Sequence, residues 1–132
     1  MKKVIFTTMS LIAVTAFSPS VFAQGNDRTL CIIYDNSNQQ GASTSITTPV
    51  NGSASRNLNS FNNRASSYTV ITNGDPANSR QTGRMRLYNQ TNLRGLLFTA
   101  TAFVDDDGTD IVNGNINSNN NDRASSIQCT TI

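Results

Sequence analysis

Beyond Phe22 the chain breaks into short apolar runs separated by Asn, Gly, Ser and Asp, as at Leu30-Cys31-Ile32-Ile33-Tyr34, Tyr68-Thr69-Val70-Ile71, Met85-Arg86-Leu87-Tyr88, Leu96-Leu97-Phe98-Thr99-Ala100 and Ile127-Gln128-Cys129. None of these repeats at the 3.6-residue period of a helix, so the pattern predicts an all-β chain with helix as a minor element at most. Residues two apart on a strand share a face. Cys31 therefore goes with Ile33, Cys129 with Ile127, Met85 with Leu87 and Tyr68 with Val70, which directs both cysteines into the core.

The same pattern occurs twice. Tyr34 is followed by Gly41 and Tyr88 by Gly95, seven residues later in each case, and the phrase Asn-Asn-Arg-Ala-Ser-Ser at 62–67 returns as Asn-Asp-Arg-Ala-Ser-Ser at 121–126. From tyrosine to the first Asn of the phrase is 28 residues in one half and 33 in the other. The excess is placed at the acidic run Asp105-Asp106-Asp107-Gly108. Gly41 and Gly95 predict sharp turns, and Asp75-Pro76 and Gly83 mark a connecting loop. The Asn-rich stretch 113–119 reads as a solvated loop.

Residues 1–23 have the pattern of a secretory leader: Met1-Lys2-Lys3, an apolar run from Val4 to Phe17, and small residues before a cut after Ala23. The run is too short and too interrupted for a membrane anchor. The expected mature domain is 24–132, secreted or periplasmic, with one Greek key at about 29–74 and a second at about 83–132. Both lysines lie in the leader, and what remains is eight Arg against eight Asp, with no Glu, His or Trp. That neutral balance argues against nucleic acid or membrane as partners. Without His there is neither an imidazole base for a nucleophile nor an imidazole ligand for zinc, and the aspartates crowd into loops with no aromatic cleft for carboxylate-pair chemistry. The expected protein is not an enzyme.

Two cysteines in an exported chain read as one disulfide, Cys31–Cys129, with two buried free thiols as the alternative. A bridge closing roughly 100 residues stabilises by about 4–5 kcal/mol on the chain-entropy account.

Each repeated phrase sets two short amide or carboxylate side chains ahead of two hydroxyls at the mouth of a strand. Such a run offers hard oxygen ligands and predicts a pair of equivalent cation sites. Asn, Asp and Ser also cap turns by bonding their own backbone, and the duplication on a matching scaffold favours ligation.

With two such clamps in register with two Tyr-to-Gly segments, residues 29–132 resemble the microbial calcium-binding branch of the βγ-crystallin family. The resemblance implies a two-sheet β-sandwich of two Greek keys holding two calcium ions. Each ion would sit between the clamp of one half and the folded hairpin of the other, and each clamp would serve both. The implied ligand groups come from Asn62, Asn63, Arg64 and Ser66, from Asn121, Asp122, Arg123 and Ser125, and from the hairpin carbonyls of Asp35 and Asn89. One carboxylate among amides places the affinity at about 10⁻⁵ to 10⁻³ M. Where the family has an aromatic or similar residue, five after the tyrosine, this chain has Gln39 and Leu93; polar Gln39 predicts a less tightly folded first hairpin. The run Asp105, Asp106, Asp107, Asp110 lacks the glutamate and spacing of an EF-hand and reads as a solvated turn.

The expected function is an exported calcium-binding module, monomeric, in which the ions stabilise the fold. The alternative is a binding module or inhibitor aimed at a secreted enzyme, as some exported proteins of this fold are. Its contact surfaces would be the loops 75–81 and 105–109.

Overall fold

The computed structural model describes residues 28–74, 81–104 and 108–132. The leader at 1–23 and its cleavage position lie outside the described residues, as do Asp75-Pro76, Asp105–Asp107 and with them most of both loops considered as contact surfaces.

Among the described residues eight strands follow in order: β1 Thr29–Asn36, β2 Gln40–Thr47, β3 Ser53–Asn57, β4 Ser67–Asn73, β5 Gln81–Gln90, β6 Arg94–Val104, β7 Thr109–Asn115 and β8 Ser126–Thr131. Among the described residues a 3-10 turn spans Asn59–Phe61. They form two antiparallel four-stranded sheets, in the orders β2-β1-β4-β7 and β3-β8-β5-β6. In each half the last strand returns to lie beside the first, which is Greek-key connectivity, and the third strand crosses to the sheet of the other half. β3 therefore pairs with β8, and β7 with β4. That exchange binds the halves together and brings their clamps face to face.

The core lies between the sheets. Cys31, Ile33 and Val70 of one sheet meet Met85, Leu87, Ile127 and Cys129 of the other, all with the face parity expected from the alternation. Cys31 and Cys129 form a disulfide, their Cα atoms 6.0 Å apart and both side chains fully buried. It joins β1 to β8, hence one sheet to the other. Because β1 is apolar at every position from Leu30 to Ile33, its outer face also carries a small cluster of Leu30, Ile32 and Ile71.

Three expectations are corrected. The extra residues of the second half are not gathered at the acidic run: β6 has 11 residues against 8 in β2, and β7 has 7 against 5 in β3. They lengthen strands, because the apolar and threonine-rich run Leu96–Val104 pairs along its length with β5. The stretch 113–119 is not all loop, since Asn113–Asn115 completes β7, where Asn113 Oδ1 accepts from Thr69 Oγ1 at 2.6 Å. Gly83 is part of β5 rather than of a connection. It packs where buried Thr29 and Thr72 share a hydroxyl bond at 2.5 Å, and a Cβ there would come within 2.1 Å of Thr72 Oγ1.

Candidate functional site

The two clamps enter β4 and β8 and bond to each other. Asn63 N–H donates to the Ala124 carbonyl at 2.8 Å, and Asp122 N–H donates to the Ala65 carbonyl at 3.0 Å. The exchange is reciprocal, so a local two-fold axis passes between the clamps. Asn63 and Asp122 have φ of 55° and 54°, a left-handed conformation that Asn and Asp tolerate better than most residues. The fourth position of each clamp, Ala65 or Ala124, is buried in the core and anchors the loop from below.

The serines tie each clamp to the hairpin of its own half. Ser66 N–H donates to the Tyr34 carbonyl at 2.8 Å and Ser125 N–H to that of Tyr88 at 2.7 Å. One residue on, Ser67 Oγ donates to the Asn36 carbonyl at 2.6 Å and accepts from Gln39 N–H at 2.9 Å. Ser126 Oγ does the same with the Gln90 carbonyl at 2.7 Å and Leu93 N–H at 3.1 Å. The hairpin tips match as well, with φ of 58° and 57° at Asn38-Gln39 and 59° and 57° at Asn92-Leu93. The first hairpin is thus folded like the second, contrary to the expectation from Gln39. Its backbone is held by a serine that does not depend on the side chain, and Gln39 Nε2 adds a bond to the Gly114 carbonyl at 3.2 Å.

Gly41 and Gly95 follow at φ of 79° and 66°. Asp35 and Asn89 fold over them so closely that an added Cβ would lie 2.0 Å from Asp35 Oδ1 and 1.9 Å from Asn89 Oδ1.

Two clusters of oxygens result, one on each side of the axis. In the first, Ser66 Oγ lies 3.2 Å from Asp122 Oδ1, and Asp35 is next to the Tyr34 carbonyl that holds Ser66. In the second, Ser125 Oγ donates to the Asn89 carbonyl at 3.1 Å. In the first cluster the fifth position of one clamp meets the second position of the other. Asn121 Oδ1 is buried without a hydrogen-bond partner, while Asn121 Nδ2 donates to Asp122 Oδ2 at 3.2 Å.

The other named residues do different things. Asn62 is exposed and caps the 3-10 turn through its N–H to the Asn59 carbonyl at 3.1 Å. Arg64 pairs with Asp35 Oδ2 at 2.6 Å and lies 5.0 Å from the Phe61 ring centre. Arg123 Nη1 donates to the Asn119 carbonyl at 2.9 Å. Arg64 thus bonds a residue of the first cluster and Arg123 its own loop, and each has only its backbone oxygen to offer as a ligand. The Arg64–Asp35 pair and the hairpin-holding role of Ser67 and Ser126 escaped sequence reasoning. The arginine recurs at the third position of both clamps, but the acid does not, since the position of Asp35 is taken by Asn89 in the second half.

Among the described residues no group of three or more His, Cys, Asp or Glu comes together. The donors are one carboxylate with hydroxyl, amide and carbonyl oxygens. That set suits a hard cation held loosely and does not suit a transition metal.

No family model, curated protein or solved structure matches the chain significantly.

Proposed function

We propose that this chain is an exported, non-catalytic calcium-binding module of the βγ-crystallin type, with two weak sites that stabilise the sandwich. The observation that carries the reading is the reciprocal bonding of the clamps, Asn63 to Ala124 and Asp122 to Ala65. It sets the hydroxyl of one clamp against the carboxylate of the other, with hairpin carbonyls alongside. Ser66, Asn121 and Asp122 would hold one ion, with the carbonyls of Asp35 and Arg64. Asn62, Asn63 and Ser125 would hold the other, with the carbonyls of Asn89 and Arg123.

Calcium accepts six to eight oxygens in flexible geometry, including the neutral ones that dominate here. Bound calcium would supply positive charge that draws these oxygens together; the protein supplies a backbone frame that already orients them. Export is supported by the leader pattern and by the disulfide, which persists in an oxidising compartment.

The test is titration of calcium into the metal-free protein, followed by heat and by melting temperature. Dissociation constants of about 10⁻⁵ to 10⁻³ M are expected, and at ten times its dissociation constant each ion adds about 1.4 kcal/mol of stability. Absence of both heat and thermal shift would remove the proposal.

A further inference from the structure

The two-fold axis allows the two open corners of the sandwich to be compared position by position. At the β6–β7 corner, Phe98, three residues after Gly95, packs on Tyr68 with ring centres 4.9 Å apart. Gly114 stands opposite Tyr68 on β7, and a Cβ there would come within 2.6 Å of the Tyr68 hydroxyl oxygen. Two rings fill that corner.

At the β2–β3 corner the corresponding positions are Thr44, Ile127 and Arg56: Thr44 is three residues after Gly41, and Arg56 pairs with Ile127 as Gly114 pairs with Tyr68. None of these three carries a ring, and the space between them stays open. An open cleft of about 480 Å³ remains, bounded by Ser43, Thr44, Arg56, Asn57, Ser60 and Phe61. Arg56 shares the register of buried Ile127 and so projects to the inner side, into this cleft, where its guanidinium donates to Thr44 Oγ1. Among the described residues no carboxylate pairs with Arg56, and none bounds the cleft.

We propose that this cleft binds a small polyhydroxylated ligand bearing an oxyanion, a sugar acid or sugar phosphate, with Arg56 receiving the anion. A guanidinium presents its donors as a planar fork that matches carboxylate and phosphate oxygens. The hydroxyls of Ser43, Thr44 and Ser60 and the amide of Asn57 both donate and accept, which suits a ligand rich in hydroxyls. The volume falls within the range of about 300 to 1,000 Å³ typical of small-molecule sites. An inward charge also blunts an edge strand against pairing with another chain, and that purely structural role predicts no binding.

The experiment is an NMR titration of the protein in a calcium chelator, using glucuronate, glucose 6-phosphate, glucose and inorganic phosphate. Saturable shifts at Ser43, Thr44, Arg56 and Ser60 are expected with glucuronate and glucose 6-phosphate and not with glucose. Arg56→Gln should weaken binding by about tenfold or more, and Arg56→Lys, which keeps the charge and loses the fork, by less. Thr44→Phe, which copies the residue of the other half, should fill the cleft and abolish binding while the melting temperature holds. The proposal is overturned if glucose binds as well as glucuronate, if inorganic phosphate binds as tightly as the sugar phosphate, if Arg56→Gln binds like the parent, or if no ligand shifts these residues.

Discussion

Ser66 Oγ donates to Asp122 Oδ1 at 3.2 Å, joining a hydroxyl of the first clamp to the one carboxylate of the two clamps. On the calcium reading this makes the two sites unequal, because the pseudo-equivalent of Asp122 is the neutral Asn63. Asp122→Asn keeps a residue that tolerates the φ of 54° and removes only charge. Two charges about 4 Å apart near a protein surface interact by roughly 1 to 4 kcal/mol. Calcium affinity should therefore fall about tenfold or more at the first site, with metal-free stability changed by less than about 0.5 kcal/mol. Asn63→Asp should raise affinity at the second site. Calorimetric titration of both variants decides the matter, and unchanged affinity in both would rule out these residues as ligands.

Gly41 and Gly95 are required by both conformation and space. An alanine at either must adopt positive φ, at about 1–2 kcal/mol, and must push Asp35 or Asn89 off the turn. Gly41→Ala and Gly95→Ala should each destabilise by roughly 2 to 4 kcal/mol in urea unfolding. Gly108→Ala is the control, since an added Cβ there meets none of the described residues within 4 Å. Comparable stability of all three variants would show that the folded hairpins are not rigid.

The Cys31–Cys129 bridge spans 98 residues of sequence and lies wholly inside the core. Replacing both cysteines by alanine should lower unfolding free energy by about 3–5 kcal/mol. Because neither sulfur is exposed, a thiol reductant should leave the bridge intact under native conditions and cleave it once urea opens the core. Rapid reduction of the native protein, followed by mass spectrometry of alkylated thiols, would contradict this burial.

How far the sequence could be read depended on whether a feature was local. Strand parity was legible because residues two apart share a face, which sets Cys129 with Ile127 against polar Gln128 and Cys31 with Ile33, although β1 is apolar on both faces. The clamps were legible because each is a contiguous phrase. What escaped was relational. Nothing in the phrase at 62–67 says that Arg64 will reach Asp35, 29 positions earlier, or that Ser67 rather than the side chain of Gln39 will hold the hairpin. Gly83 looked like a loop residue because a strand glycine and a turn glycine are identical in sequence. Only the crowding by Thr72 and Thr29 identifies it as a point of close approach. The cleft at Arg56 is relational too, because it depends on Thr44 standing where the other half has Phe98 and on Arg56 lying opposite Ile127.

β6 ends its sheet with 11 residues and carries no Lys or Pro, the residues that commonly blunt an exposed edge. Leu96 and Phe103 on this strand are 59% and 63% exposed. Two side chains from neighbouring segments hold backbone groups of the edge instead: Asp110 Oδ2 accepts from Phe103 N–H at 2.8 Å, and Asn120 Nδ2 donates to the Leu97 carbonyl at 2.8 Å. Removing both frees one donor and one acceptor along an apolar strand, which then offers a template to a second copy of the chain. Asp110→Ala with Asn120→Ala should therefore increase self-association relative to the parent in sedimentation velocity. Adding Thr101→Lys, which places a charge in the middle of the same strand, should reverse the effect. A double variant that sediments as the parent does at every concentration would mean that the edge is protected by something other than these two bonds.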